Sequence, residues 1–191
     1  SSLRETENAL DVLRDSGAQS IALFHCVSSY PTNPSECNLA AIDTMRLAFG
    51  VPVGWSDHTL GIHIAVAAVA RGASLIEKHL TTDRTLPGPD HAASIEPGEF
   101  GELVRSIRDV ESAIGDGVKA RRPSEQNTAE VARRSVHAAR DLAEGHTLAR
   151  EDVVLLRPGT GIPADRLDEV LGKRARRPIV KGAMLTPEDL D

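Results

Sequence analysis

VPVGWSDHTLGIHIAVAAVARGASLIEKH, residues 51–79, decides the fold. It opens on a short apolar run (51–56), passes into an Ala- and Val-rich stretch (61–71) that stops at Gly72, and closes on a second short apolar run (73–78). Short apolar runs bounded by turn residues read as buried strands, and the longer stretch that ends on glycine reads as a helix. Strand, helix, strand implies two parallel strands joined by a right-handed crossover. The same alternation extends outward. Upstream, 20–27 reads as a strand and 39–49 as a helix stopped by Gly50. Before them, 3–16 reads as an amphipathic helix with Leu3, Ala9, Leu10 and Leu13 on one face, ended by Gly17. Downstream, 97–114 reads as a helix with Pro97 in its first turn and Gly115 after it. Residues 1–117 are therefore one helix followed by three strand–helix units. Three strands do not close a barrel. The order fits the last part of a (β/α)8 barrel and fits a small open α/β domain equally well.

The remainder of the chain differs in kind. Residues 118–131 are polar, contain a proline and read as a linker. Residues 132–191 hold an internal echo. DLAEGHTLAREDV (141–153) and PIVKGAMLTPEDL (178–190) align without gaps and match at Gly145 and Gly182, Leu148 and Leu185, Glu151 and Glu188, and Asp152 and Asp189. Each copy reads as a strand end, a glycine turn and a short capped helix. Thr186, Pro187 and the acids after them form a strong helix start. The echo predicts a small pseudo-symmetric β-rich module, with chance similarity of turn and cap signals as the plainer account.

Composition excludes several classes. Charged residues make up 26% of the chain and hydrophobic ones 40%, ordinary for a globular protein, while 3% aromatic content leaves the core to Ala, Val, Leu and Ile. Residues 1–117 carry a balance of −8 and residues 118–191 one of +2, which together give the net −6 and mark two modules. Basic residues are interspersed with acids and lack an aromatic platform, which argues against nucleic acid as a partner. No apolar run approaches a membrane span, so no membrane partner is expected. The first residues lack a signal pattern, and a cytoplasmic location is the expectation. Cys26 and Cys37 do not make a disulfide framework.

Two segments concentrate chemistry: GWSDHTLG (54–61) and EKH (77–79). Each ends a predicted strand on a histidine. Side chains alternate along a strand, so Ser56 shares a face with His58 and Glu77 with His79. Adjacent parallel strands bring both imidazoles to the C-terminal rim, where barrel active sites are built. Two imidazoles with oxygen ligands suit Mn, Fe, Co or Zn, and such a site fails at acid pH because imidazole binds metals neutral. Each histidine capping its own strand is an equally weighted alternative. Asp57 and Glu77 are candidates for orienting the rings, or are ordinary rim carboxylates. His25 reads as a satisfied core histidine and Cys26 as a small hydrophobe. The long loop 81–94 offers Asp90 and His91 to a polar substrate, and Tyr30, the only tyrosine, is placed to stack on a sugar or to close the mouth of a barrel.

Taken together, HCVSSYPT (25–32), GWSDHTLG (54–61), EKHLT (77–81), GPDHAAS (88–94), RPGTGI (157–162), LGK (171–173) and KGAMLTPEDL (181–190) resemble, in order and spacing, the sialic acid synthase family with its pseudaminic and legionaminic acid relatives. The resemblance runs through essentially the whole chain. It implies the C-terminal part of a (β/α)8 TIM barrel, about strands six to eight, over 1–117, followed at 132–191 by the antifreeze-like or SAF domain. It implies a transferase that condenses phosphoenolpyruvate with an N-acyl amino sugar such as N-acetylmannosamine, acting as a domain-swapped homodimer. Carried onto this sequence, His58 and His79 are the implied ligands of a divalent metal, manganese first, with magnesium or cobalt as alternatives. Ser56 is implied to hold phosphoenolpyruvate. Tyr30 and Asp90 face the sugar, and Arg157 reaches the N-acyl end across the dimer. Glu77 is the implied catalytic carboxylate. Ser28 stands where some members carry an Asn that contacts phosphoenolpyruvate. The family's first five strands supply lysines and a glutamate that are absent from this sequence, so the expectation is that the longer parent is an enzyme and this piece alone is inactive. Two alternatives stand beside this: a non-catalytic carbohydrate- or partner-binding SAF module with a half-barrel attached, and another phosphoenolpyruvate-using 3-deoxy-sugar acid synthase.

Overall fold

The computed structural model describes residues 1–191, which divide into two compact units, Ser1–Val118 and Lys119–Asp191. The first unit runs α1 (Leu3–Asp15), β1 (Leu23–Cys26), α2 (Ala40–Phe49), β2 (Val53–Asp57), α3 (His63–Ala70), β3 (Ile76–Lys78) and α4 (Pro97–Ile114). Its strands form one parallel sheet in the order β1-β2-β3. The expected strands at 20–27 and 73–78 shorten to Leu23–Cys26 and Ile76–Lys78, because apolar character extends beyond the stretch that keeps a regular ladder. Gly50 ends α2 in the left-handed conformation, with φ +65, which an L side chain rarely adopts.

Alternation along the strands sorts the two faces. Val53, Trp55 and Asp57 are buried together with Ile42 of α2, Ala65 and Ala68 of α3, and Leu103 of α4. Phe24, Cys26, Leu75 and Glu77 stand on the opposite face and are exposed. Close packing carries most of the stability on the helix side. Trp55 is wholly buried against the His25 ring, and its indole N–H finds no hydrogen-bond partner. His25 itself is satisfied through the Cys37 carbonyl at 2.8 Å.

The second unit contains α5 (Gln126–Ala132), β4 (Ser135–Ala138), β5 (Val153–Leu156) and α6 (Leu167–Val170). The segment read as linker therefore ends in helix α5, whose short polar sequence gives little amphipathic signal. β4 and β5 pair antiparallel, and the remaining extended segments meet in isolated bridges. Those bridges follow the sequence echo. Gly145 N–H donates to the Ala175 carbonyl, and Gly182 N–H donates to the Ala138 carbonyl, both at 2.8 Å. Leu148 N–H donates to Lys173 and Leu185 N–H to Val136, both at 2.9 Å, while Leu142 and Ile179 exchange a pair of bonds. Residues equivalent in the two copies thus swap roles across a pseudo-two-fold axis. Both copies end in a 3-10 turn, Arg150–Asp152 and Pro187–Asp189, with the aspartate buried. Asp152 accepts from the Ala149 N–H, His146 and Arg140; Asp189 accepts from the Thr186 N–H and hydroxyl and from Arg177. Val136, Leu148, Val153, Val170, Leu185 and Leu190 fill the core between the copies. No helix of the chain is long and apolar enough to cross a membrane.

Candidate active site

Cα register pairs Cys26 with Ser56 and Ser56 with Glu77, a row across all three strands on the face opposite the helices, with Cys26 and Glu77 exposed and Ser56 buried between them. One step beyond that row, at the C-terminal ends of β2 and β3, the His58 and His79 ring centroids lie 5.2 Å apart at 83°. Tyr30, from the loop after β1, touches both: 5.1 Å from the His58 ring and 4.3 Å from the His79 ring. Three rings from three strand ends therefore meet at one rim.

Local bonds hold each ring. His58 Nδ1 lies 2.9 Å from the Val27 carbonyl oxygen, which only accepts; Nδ1 therefore carries the proton and Nε2 keeps its lone pair. The His58 carbonyl accepts from Thr32 N–H at 2.8 Å, tying the β1 loop to the end of β2. Ser94 donates its hydroxyl to the Asp90 carbonyl at 2.7 Å, so Tyr30 is the donor in the 3.1 Å contact between the two hydroxyls. Burial pushes the Tyr30 phenol up; the Ser94 bond opposes this, and the Asp90 and Asp57 carboxylates add to the rise, so the phenol stays a donor at neutral pH. His79 Nδ1 faces the Asp90 carboxylate at 3.8 Å, an electrostatic contact longer than a hydrogen bond. Beside it a shallow cavity of about 320 Å³ is lined by His79, Pro89, Asp90, His91 and Ser94. The loop that bears Asp90 is closed at its base, where Ile95 N–H donates to the His79 carbonyl and Thr81 N–H to the Ile95 carbonyl, both at 2.9 Å.

Residues 1–119 match the NeuB family, and residues 133–191 match the SAF domain. The chain belongs to the NeuB family. Among its relatives, the N,N'-diacetyllegionaminic acid synthase of Campylobacter jejuni is 45% identical over 92% of this chain and 53% of that protein. The enzyme of the same name from Legionella pneumophila is 41% identical over 99% of this chain and 54% of that protein. The crystal structure of N-acetylneuraminic acid (sialic acid) synthetase from Leptospira borgpetersenii, in complex with citrate, aligns with TM-score 0.61 and 42% identity over 68% of this chain and 45% of that one. The chain spans about half the length of the curated relatives it matches.

In this NeuB-family chain the expected residues fall into three groups. Tyr30, His58, His79 and Asp90 come together, with Ser56 and Glu77 one row below; the Ser56 hydroxyl donates to Glu77 at 2.6 Å. Ser28 is exposed and lines a larger cavity of about 460 Å³ with Phe24, Cys26, Asn38 and Thr44. Arg157 belongs to the second unit, where its Nε donates to the Ala132 carbonyl at 3.0 Å. No group of three or more His, Cys, Asp or Glu side chains gathers into a full ligand set.

Two expectations need correction. Asp57 does not orient a ring: strand alternation turns it to the helix side, where its carboxylate accepts from Thr59 and Lys78, and the Val27 carbonyl takes the role at His58. Cys26 is not packed as a hydrophobe; it is exposed, with Sγ 3.8 Å from His58 Nδ1. His91, which lines the cavity beside His79, has its Nδ1 2.8 Å from the Thr81 hydroxyl. Lys78 was missed, although its parity gave the signal: a lysine that alternates with Glu77 and His79 must face the core and find a partner there.

Proposed function

We propose that this chain is the C-terminal part of an N-acetylneuraminate-type synthase, which joins phosphoenolpyruvate to an N-acyl amino sugar to make a nonulosonic acid. Its three parallel strands would be the last three of a (β/α)8 barrel. The observation that carries the proposal is the paired imidazoles of His58 and His79, 5.2 Å apart on adjacent strand ends with Tyr30 against both.

The donor set would suit a divalent cation such as Mn²⁺, because in the neutral His58 ring the Val27 bond leaves Nε2 free to ligate, and the Asp90 carboxylate stands beside His79. His58 and His79 would hold such an ion, which would supply Lewis-acid polarisation of the open-chain sugar aldehyde. The chain's own residues then orient the reactants. Tyr30 offers a ring face to the sugar, its hydroxyl fixed by Ser94. Asp90 accepts from sugar hydroxyls at the exposed rim. Ser56, bonded to Glu77, contacts phosphoenolpyruvate, and Ser28, just past the end of β1, extends that contact. In the reaction the methylene carbon of phosphoenolpyruvate bonds to the aldehyde carbon, the aldehyde oxygen takes up a proton to become a hydroxyl, and water adds to the central enol carbon. In this reading Glu77 takes one proton of that water, which balances the one gained by the aldehyde oxygen; the C–O bond to phosphate then breaks, and the phosphate leaves with the remaining hydroxyl proton as the keto group forms. Arg157 belongs in this scheme to the partner's site, at the N-acyl group, in a domain-swapped homodimer.

The test is phosphate release from phosphoenolpyruvate with N-acetylmannosamine and Mn²⁺, measured on the protein that carries this chain. His58→Ala and His79→Ala should each lower turnover about a hundredfold or more, since Lewis-acid polarisation is worth several kcal/mol and each 1.4 kcal/mol is tenfold. Full activity in both variants sinks the assignment.

A further inference from the structure

Directly behind the paired histidines lies a buried ion pair that the scheme above does not use. Lys78 Nζ meets Asp57 Oδ2 at 2.8 Å, with the two side chains 3% and 0% exposed. Asp57 and Lys78 are register partners on β2 and β3, each immediately preceding one of the histidines. Lys78 Nζ also donates to the Thr59 carbonyl at 2.7 Å. The other Asp57 oxygen accepts from Thr59 N–H at 3.0 Å and Thr59 Oγ1 at 2.7 Å. Both residues that flank His58 are thus bound to the residue that precedes His79.

A pair this deep is poor evidence for extra stability, because desolvation of two charges offsets most of their attraction; two apolar residues of similar size would hold the strands as well. What apolar residues do not fix is register. A slip of one residue between β2 and β3 turns every side chain to the other face, and would move a histidine from the rim into the helix layer. A slip of β3 would turn Lys78 out of the helix layer and leave the Asp57 carboxylate buried without it, which is strongly unfavourable. We propose that Asp57 and Lys78 are positioning residues, a buried clamp that fixes the register of β2 on β3 and so sets the His58–His79 separation. Only the statement of what the two rings bind rests on the metal reading above; the placement of the rings does not.

Lys78→Met alone strands a buried carboxylate and endangers folding, so the informative variant is the neutral pair Asp57→Asn/Lys78→Met, which keeps an acceptor for Thr59. NMR of the full chain reads the clamp directly, through ring-proton NOEs between Tyr30 and each histidine. Wild type should show both sets of cross-peaks. The folded double variant should lose at least the Tyr30–His79 set, while Ile76→Val, a mild core change on the same strand, keeps both. Retained cross-peaks in the double variant, or equal loss in Ile76→Val, overturn the clamp. Mn²⁺ titration of the same proteins is a second readout. It should weaken by about 10–100-fold in the double variant, the range for residues that orient metal ligands. If wild type binds no Mn²⁺, the metal reading fails, and the NOE comparison still decides the clamp.

Discussion

Residues 119–191 wrap two copies of one short motif around a shared core, each copy satisfying the backbone of the other. Residues 1–118 cover only one face of their sheet with helices, and on the other face Phe24 and Leu75 remain 40% and 41% exposed beside Cys26 and Glu77. The difference separates two uses of polar groups. In the second unit Asp152 and Asp189 are buried to close turns, and their chemistry is spent on structure. In the first, the buried charges lie behind the rim, and the groups that could act on a ligand stay accessible in front of it.

Leu185→Ala should break the comparison most strongly if the two cores are not separate. Leu185 is fully buried, and such truncations cost about 2–5 kcal/mol. Hydrogen exchange in β4 and β5 should report that loss, while fluorescence of Trp55, the chain's single tryptophan, should follow an unchanged denaturant transition. An equal shift in both would merge the two units into one cooperative block. Next comes Asp152→Asn, expected to cost about 1–3 kcal/mol through a carboxylate with three donors. Burial pushes the Asp152 carboxyl up, but the Ala149 N–H, the His146 ring and Arg140 outweigh it and bring it down to about 2, from an ordinary 3.8. A carboxyl lowered by folding stabilises fully above its unfolded value and loses that contribution as pH falls from about 4 towards 2. Asp189 shifts in the same direction, with burial opposed by Thr186 and Arg177. Acid melts should therefore weaken the second unit across that window, and Asp152→Asn should flatten the dependence.

Smaller effects sharpen the picture of the first unit. Cys26 is exposed at the rim, whereas burial, with Asp57 and Glu36 nearby, pushes the Cys37 thiol up. Iodoacetamide should modify Cys26 about tenfold faster than Cys37, as thiolate availability and access dictate; peptide mapping by mass spectrometry gives the ratio. Equal rates would place the two thiols in similar surroundings. Last, Ser2→Ala removes the hydroxyl that accepts from Glu5 N–H at the start of α1 and should cost about 1 kcal/mol, seen as a small drop in the Trp55 transition.

Much of this was legible in the sequence because it rests on residue type and period. Helix α4 lies where Pro97 and Gly115 placed it, and the 141–153 and 178–190 echo is a real exchange of hydrogen bonds. His58 and His79 were brought together by parity and by the order of strands, and Tyr30 was placed only at the same rim, just past the first strand. What escaped was carried by groups without a sequence signature. The Val27 carbonyl that fixes the His58 tautomer is backbone, present at every residue. The direction of the Tyr30–Ser94–Asp90 chain depends on a loop closing at Ile95. Asp57 was misread because a carboxylate beside a histidine suggests contact, while strand alternation sends neighbours to opposite faces.

The proposed chemistry requires His58 and His79 to hold one divalent ion. Titrating Mn²⁺ into the chain and following the electron paramagnetic resonance of free Mn²⁺ tests this directly. The account predicts one site per chain that disappears in both His58→Ala and His79→Ala. Binding that survives in both variants, or a wild-type chain that binds none, would contradict it.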